Sequence, residues 1–183
     1  MFSKRKNEQV FSFTLIQGGL NERSVTDILL EEAARMLSAR DILYDVVDVR
    51  PREIDFYDGR PIEKYSIQTR EAIEKMKRGS AYIFSVSVYA ATVSGAVKNI
   101  INLAGQGMEK KVAGIMAGSS GVAPYPATHE FIDFLTKTAR VATVQPVVYA
   151  SREEFKDGKI FDEQLSVLIG EMIDALLKRR KRA

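Results

Sequence analysis

Short β-branched apolar runs alternate with stretches of helical period along most of the chain, and this alternation narrows the fold more than any other feature. The runs are "VFSFTLIQ" (10–17), "ILYDVVDV" (42–49), "AYIFSVSV" (81–88), "KVAGIMAG" (111–118) and "VATVQPVVYA" (141–150). Between them the apolar period changes to that of a helix. From Ser24 onward, Val25, Ile28, Leu29, Ala33, Met36 and Leu37 share one face, and Ser24 with Asp27 resembles a capping box. Further helices are expected at 66–78, 93–104, 127–139 and 162–179. Five strands alternating with five helices point to an α/β protein with a doubly wound parallel sheet. The third and fourth runs are almost wholly apolar, as strands covered on both faces should be. Pro146 suits an edge strand or a bulge. With 183 residues and no repeat or low-complexity linker, a single domain over 1–183 is expected, its core spanning about 10–178.

Composition narrows the chemistry. The chain has no Cys and one His, which leaves no disulfide framework, thiolate metal site or nucleophilic Cys. No apolar run reaches the roughly 18 residues that span a bilayer. The N-terminus lacks a long apolar stretch before a small-residue cleavage site, so a cytoplasmic location is expected. The net charge of +3 sits in the tails: eight basic residues at 4–6 and 178–182 face only Glu8, leaving −4 for the rest of the chain. Solvated tails are the expected reading, and no nucleic-acid or membrane partner is inferred.

In an open α/β sheet, ligands bind beyond the carboxyl ends of the strands. Three of those ends carry little side-chain bulk: "QGGLNERSVT", "SVYAATVSG" and "AGSSGVAPY". Short side chains expose backbone N–H groups. The first loop opens a helix, whose N-terminus attracts anions, with Ser24 and Thr26 as possible hydroxyl donors; a tight turn before an ordinary capped helix is the alternative. Taken together, the three loops suit a planar ring carrying a phosphate, the shape of flavin mononucleotide (FMN). A phospho-acceptor domain of the same topology would need acidic strand ends, and Gln17 and Ser87 do not provide them.

"SVSVYAATVSGAVKNIINL" resembles the Pro-x-Tyr … Ser-Gly-Ala-Leu-Lys-Asn pattern of the NADPH-dependent FMN reductase family, through Val88, Tyr89, Ala91, Ser94, Gly95, Ala96, Lys98 and Asn99. Gly18 through Thr26 align with that family's Gly-Ser-x-Arg-x-x-Ser-x-Asn/Thr motif. "VDVRPREIDFYDG" is similar to the loop after its second strand. Within the family the likeness is nearest to the alkanesulfonate-associated FMN reductases. The resemblance implies a flavodoxin-like three-layer sandwich with a five-stranded parallel sheet in the order 2-1-3-4-5. It implies FMN as cofactor or substrate, NADPH or NADH as hydride donor, and a homodimer or homotetramer. It places the phosphate on Gly18, Gly19, Asn21, Arg23, Ser24 and Thr26, and the ring along Ser87, Val88, Tyr89, Ala90, Ala91 and Thr92. Gly118, Ser119, Ser120 and Gly121 close the other edge. No side chain is assigned as acid or base, because the flavin supplies the chemistry.

The chain departs from the pattern in three places. Gly19 and Asn21 stand where the motif has Ser and Arg, and Ser87 where many members have Pro. A phosphate monoester carries about −1.5 to −2 charges at neutral pH, so FMN affinity turns on whether Arg23 replaces the absent Arg or stays solvated. Alternative readings are a flavodoxin-like electron carrier or redox-responsive FMN-binding protein without reductase turnover, and an interaction module that has lost FMN. His129 is read as a surface residue, and Lys98 and Asn99 as supports of their helix and loop. Tyr89 and Tyr125 are left between ligand contact, subunit contact and packing. Phe56 and Tyr57 would be exposed in a monomer, which favours an oligomer.

Overall fold

A computed structural model of the chain describes residues 11–50, 54–119 and 125–180. The basic residues at 4–6 and 181–182, and Ser120 and Gly121 of the third loop, fall outside these ranges. Among the described residues, nine strands and five α-helices follow in order. The strands are β1 (Ser12–Gln17), β2 (Leu43–Asp48), β3 (Ala81–Tyr89), β4 (Thr92–Val93), β5 (Val112–Gly118), β6 (Ala142–Thr143), β7 (Val148–Ala150), β8 (Phe155–Lys156) and β9 (Lys159–Ile160). The helices are α1 (Val25–Ser38), α2 (Ile67–Arg78), α3 (Gly95–Ala104), α4 (Tyr125–Phe134) and α5 (Glu163–Arg180). The main sheet is parallel in the order β2-β1-β3-β5, with β6 and β7 together forming the fifth position. This is the expected 2-1-3-4-5 flavodoxin-like order.

Period-two alternation along the strands sorts the core into two layers. Phe13, Leu15, Ala81 and Ile83 face α1 and α5, where Leu29, Ala33, Leu37, Ile169, Met172 and Ile173 are buried. Ile16, Tyr82, Phe84, Val86 and Ile115 face the opposite side, against Ile73 and Met76 of α2, Val97 and Ile101 of α3, and Phe131 of α4. The Phe84 and Phe131 rings meet edge to face at 5.4 Å. Helix starts follow their caps: Ser66 Oγ accepts from Thr69 N–H (3.2 Å) and Ser94 Oγ from Val97 N–H (3.4 Å).

The fifth strand, for which Pro146 suggests an edge or a bulge, is divided in two in the structure. Ala142 pairs with Val112, whereas Val148 pairs with Met116, so two extra residues are taken up around Pro146. Proline has no N–H to give the ladder, and the bulge absorbs it at the sheet edge. The β8–β9 hairpin, closed by Asp157 and Gly158 at positive φ, was not anticipated because each of its strands is only two residues long.

Candidate functional site

The chain passes from β1 to β2 on one side and crosses to β3 on the other, so strand order reverses between β1 and β3. Register then aligns the ends: Gln17 lies opposite Ser85, and Ser87 opposite Gly118. The three strand ends that lead into the small-residue loops therefore meet at one end of the sheet. Between them lies a cleft of about 310 Å³, lined by Asn21 to Val25 and Ile28 from the first loop and α1, Ser87 to Tyr89 from β3, Gly118 at the end of β5, Ser119 after it, and Arg152.

Eight of the expected site residues line this cleft: Asn21, Arg23, Ser24, Ser87, Val88, Tyr89, Gly118 and Ser119. Gly18, Gly19 and Thr26 lie beneath it and are buried. Gly18 donates its N–H to Ser85 O (2.7 Å) and accepts from Ser94 Oγ (3.1 Å), wedging the loop between β3 and the start of α3. Gly19 is enclosed by hydroxyls. A Cβ there would collide with Thr26 Oγ1 and stand 2.9 Å from Ser24 Oγ and 3.0 Å from Ser87 Oγ. Thr26 Oγ1 accepts from Gln17 Nε2 (3.2 Å) and shares a 2.6 Å hydrogen bond with Ser24 Oγ, which in turn donates to Asp27 Oδ2 (3.1 Å). The Asp27 carboxylate also takes Ser24 N–H (2.8 Å), Gln17 Nε2 (2.7 Å) and the Arg50 guanidinium (3.1 Å). The Ser24–Asp27 pairing expected of a capping box is present, extended into a network that fixes the loop from below.

The ring loop is a hairpin. β3 and β4 pair antiparallel, Val88 with Val93 and Tyr89 with Thr92, around Ala90 and Ala91, both at positive φ (46° and 61°). Such a two-residue turn normally carries Asn-Gly or Gly-Gly, since a Cβ in the left-handed region costs about 1–2 kcal/mol. Replacing both alanines by glycine should raise stability by about 1 kcal/mol, after subtracting the extra unfolded-state entropy of glycine. Thermal unfolding of the double variant checks this, as an upward shift of roughly 2–4 °C. The hairpin is tied down on both flanks. The Tyr89 hydroxyl accepts from Leu20 N–H (3.0 Å), joining the ring loop to the first loop. Lys98 Nζ donates to Thr92 Oγ1 (2.8 Å) and pairs with Glu130 Oε1 (2.8 Å), while Thr92 Oγ1 donates to Glu130 Oε2 (2.7 Å).

Burial pushes the Glu130 carboxyl up, but the hydrogen bonds from Lys98 and Thr92 and the Lys98 charge outweigh it and hold the group below its ordinary value of 4.5. A lowered folded-state value means stability that is present above the unfolded value and lost as pH falls through the folded one. Glu130→Gln should therefore be less stable than the parent at pH 7, with the gap closing as pH falls below about 4.5. Denaturant unfolding of both proteins across pH 3 to 7 measures it.

Asn99 Oδ1 accepts from Tyr57 N–H (2.8 Å), and its Nδ2 donates to Asp55 O (2.9 Å), clamping the loop after β2 against α3. Lys98 and Asn99 thus hold loops in place. That loop presents Phe56 (79% exposed) and Tyr57 (54% exposed) beside α3. His129 is exposed on α4. The Tyr125 ring packs at 4.4 Å on that of Tyr149. Arg152 was missed in the sequence. It follows the fifth strand in "YASREEF", and the strand-end rule applied to that end as well would have marked it.

Among the described residues no group of three His, Cys, Asp or Glu could hold a metal, and no helix is long and apolar enough to cross a membrane. The family model for NADPH-dependent FMN reductases matches residues 12–155. An NAD(P)H-dependent FAD/FMN reductase from Geobacillus thermodenitrificans (strain NG80-2) is 25% identical over 130 residues, covering 70% of this chain and 69% of that protein. The fold is similar to FerB, a flavoenzyme NAD(P)H:(acceptor) oxidoreductase from Paracoccus denitrificans. That likeness has a TM-score of 0.75 and 15% identity, covering 92% of this chain and 98% of that one. An NADH:FMN oxidoreductase (EMOB), in its apo form, has a TM-score of 0.71 and 19% identity, with 88% of each chain covered.

Proposed function

Since the chain belongs to the NADPH-dependent FMN reductase family, we propose that the cleft at the ends of β1, β3 and β5 is where it binds FMN. The reaction class is that of an NAD(P)H-dependent FMN or quinone-type reductase. The observation that carries the site is the convergence of three small-residue strand ends on one cleft that also contains the start of α1 and two arginines. The residues present fit the cofactor. Asn21, Arg23 and Ser24 would take the phosphate, the Ser87–Thr92 hairpin would lie along the ring, and Gly118 and Ser119 would close its other edge. When bound, FMN supplies hydride acceptance and onward transfer. The protein's part is to bind and orient. The Gln17–Thr26–Ser24–Asp27 network keeps the phosphate loop rigid, and the Tyr89 hydroxyl fixes the ring hairpin against it.

The visible spectrum of the purified protein, with and without added FMN, tests this reading. A bound-flavin band that bleaches anaerobically with NADPH or NADH is expected. Absence of FMN binding would overturn the site. Binding without bleaching would leave the electron-carrier reading in its place. The ring-loop motif supports a place near the alkanesulfonate-associated members, and a cytoplasmic location, where NAD(P)H is supplied, is proposed with it. The exposed Phe56 and Tyr57 support a homodimer or homotetramer. Light scattering should give at least twice the chain mass, and Phe56→Glu should shift it toward the monomer.

A further inference from the structure

We infer that Arg152 supplies the phosphate-binding guanidinium that the first loop lacks at Asn21. The inference rests on the reading of the cleft as an FMN site and adds a residue that the family motif does not contain. Two arginines line the cleft, Arg23 from the loop after β1 and Arg152 from the turn after β7. Sheet order puts these two elements on opposite flanks of β3 and β5, so the cations reach the cleft from two sides. Arg35, Arg40, Arg50, Arg60, Arg78 and Arg140 each pair with a carboxylate. Among the described residues, the guanidinium of neither Arg23 nor Arg152 forms an ion pair or hydrogen bond. Glu154, two residues on, is engaged by Ser151 N–H (2.8 Å) and Ser151 Oγ (2.6 Å) in a capping box of its own. Ser119 N–H donates to Ala150 O (3.0 Å), which joins the Arg152 turn to the end of β5 at the rim of the cleft. Among the described residues of the lining Glu22 is the one carboxylate, so these side chains carry a net +1. A guanidinium offers a planar fork of donors that matches a phosphate dianion, and it stays charged at any working pH. Lack of a partner does not by itself mark a site, since Arg70 on α2 also forms no ion pair among the described residues and lies away from the cleft. The position of Arg152 in the cleft is what distinguishes it.

The test compares FMN with riboflavin, which has the same ring and no phosphate, by fluorescence titration of the full chain. The parent is expected to bind FMN more tightly than riboflavin. Arg152→Ala should raise the Kd for FMN by about 10- to 100-fold, the range for losing a charge-assisted bond, and leave that for riboflavin within about twofold. Arg152→Lys should restore part of the loss. Arg70→Ala, which removes the same charge elsewhere, should change neither. An unchanged FMN-to-riboflavin ratio in Arg152→Ala, or equal weakening of both ligands, overturns the inference. Circular dichroism identifies unfolding in the alanine variant, in which case Arg152→Gln is read by the same criteria. Failure of the parent to bind either ligand would overturn the flavin reading itself, and equal binding of both by the parent would overturn only the phosphate assignment.

Discussion

Gly19→Ser, which installs the residue of the family motif, should lower FMN affinity by roughly tenfold or more and destabilise the protein by about 1–3 kcal/mol, the usual cost of overpacking. Gly19 is not in the left-handed region, so its requirement is space and not backbone freedom. Ser24 Oγ and Ser87 Oγ can rotate away from an added Cβ. Thr26 Oγ1 cannot do so cheaply, because its β-branched side chain is fully buried in the first turn of α1 and bonded to Gln17. For a chain of this size the melting point should fall by roughly 3–10 °C. Thr26→Ala removes the obstructing hydroxyl, so in the Gly19→Ala background it should recover part of the loss. A double-mutant cycle would show favourable coupling between the two positions. If Gly19→Ala kept both the melting point and the FMN affinity of the parent, the enclosure of Gly19 by hydroxyls would have no energetic consequence.

Asp27→Ala should be the second large effect, at about 2–4 kcal/mol, combining loss of a helix cap with a buried amide that loses one of its two partners. The carboxylate takes hydrogen bonds from Ser24 N–H and Gln17 Nε2 and pairs with Arg50. Gln17 is almost fully buried, and its Oε1 has no hydrogen-bond partner among the described residues, so losing Asp27 would leave the amide with only Thr26. Asp27→Asn keeps the shape and one acceptor oxygen but gives up the charge facing Arg50, and should cost nearer 1 kcal/mol. Asp27 does not line the cleft, but Ser24, which it holds, does, so Asp27→Ala should also weaken FMN by loosening the phosphate loop, and riboflavin less. The accompanying loss of stability distinguishes it from Arg152→Ala. Denaturant unfolding and the two titrations separate these outcomes.

Much of the site was legible because its elements are local. "QGGLNERSVT", "SVYAATVSG" and "AGSSGVAPY" are short enough to recognise as loops, and three low-bulk strand ends in one α/β chain suggest a shared ligand. The depth of each residue was not legible. Thr26 and Arg23 both stand in the first loop as candidate phosphate contacts, yet Thr26 is fully buried under Gly19 and Arg23 lines the cleft. A motif specifies order along the chain and not which side chains turn inward. Thr92 likewise reads as a ring-loop residue, while its hydroxyl is engaged by Lys98 and Glu130, the latter on a helix beyond the next strand.

The sequence by itself determined the layers and the sheet. Periods of two and 3.6 state which face of each element must leave water, and that requirement is local and strong. Tertiary structure decided what the strand ends build together. Only the β3–β5 register sets Ser87 against Gly118, and only sheet order brings the turn after β7 to the same cleft as the loop after β1. Arg152 has no signal beyond its place after the fifth strand, because an exposed arginine in a polar turn reads the same whether it faces bulk water or a ligand. Its place in the cleft depends on long-range strand pairing, which hydrophobic periodicity does not encode.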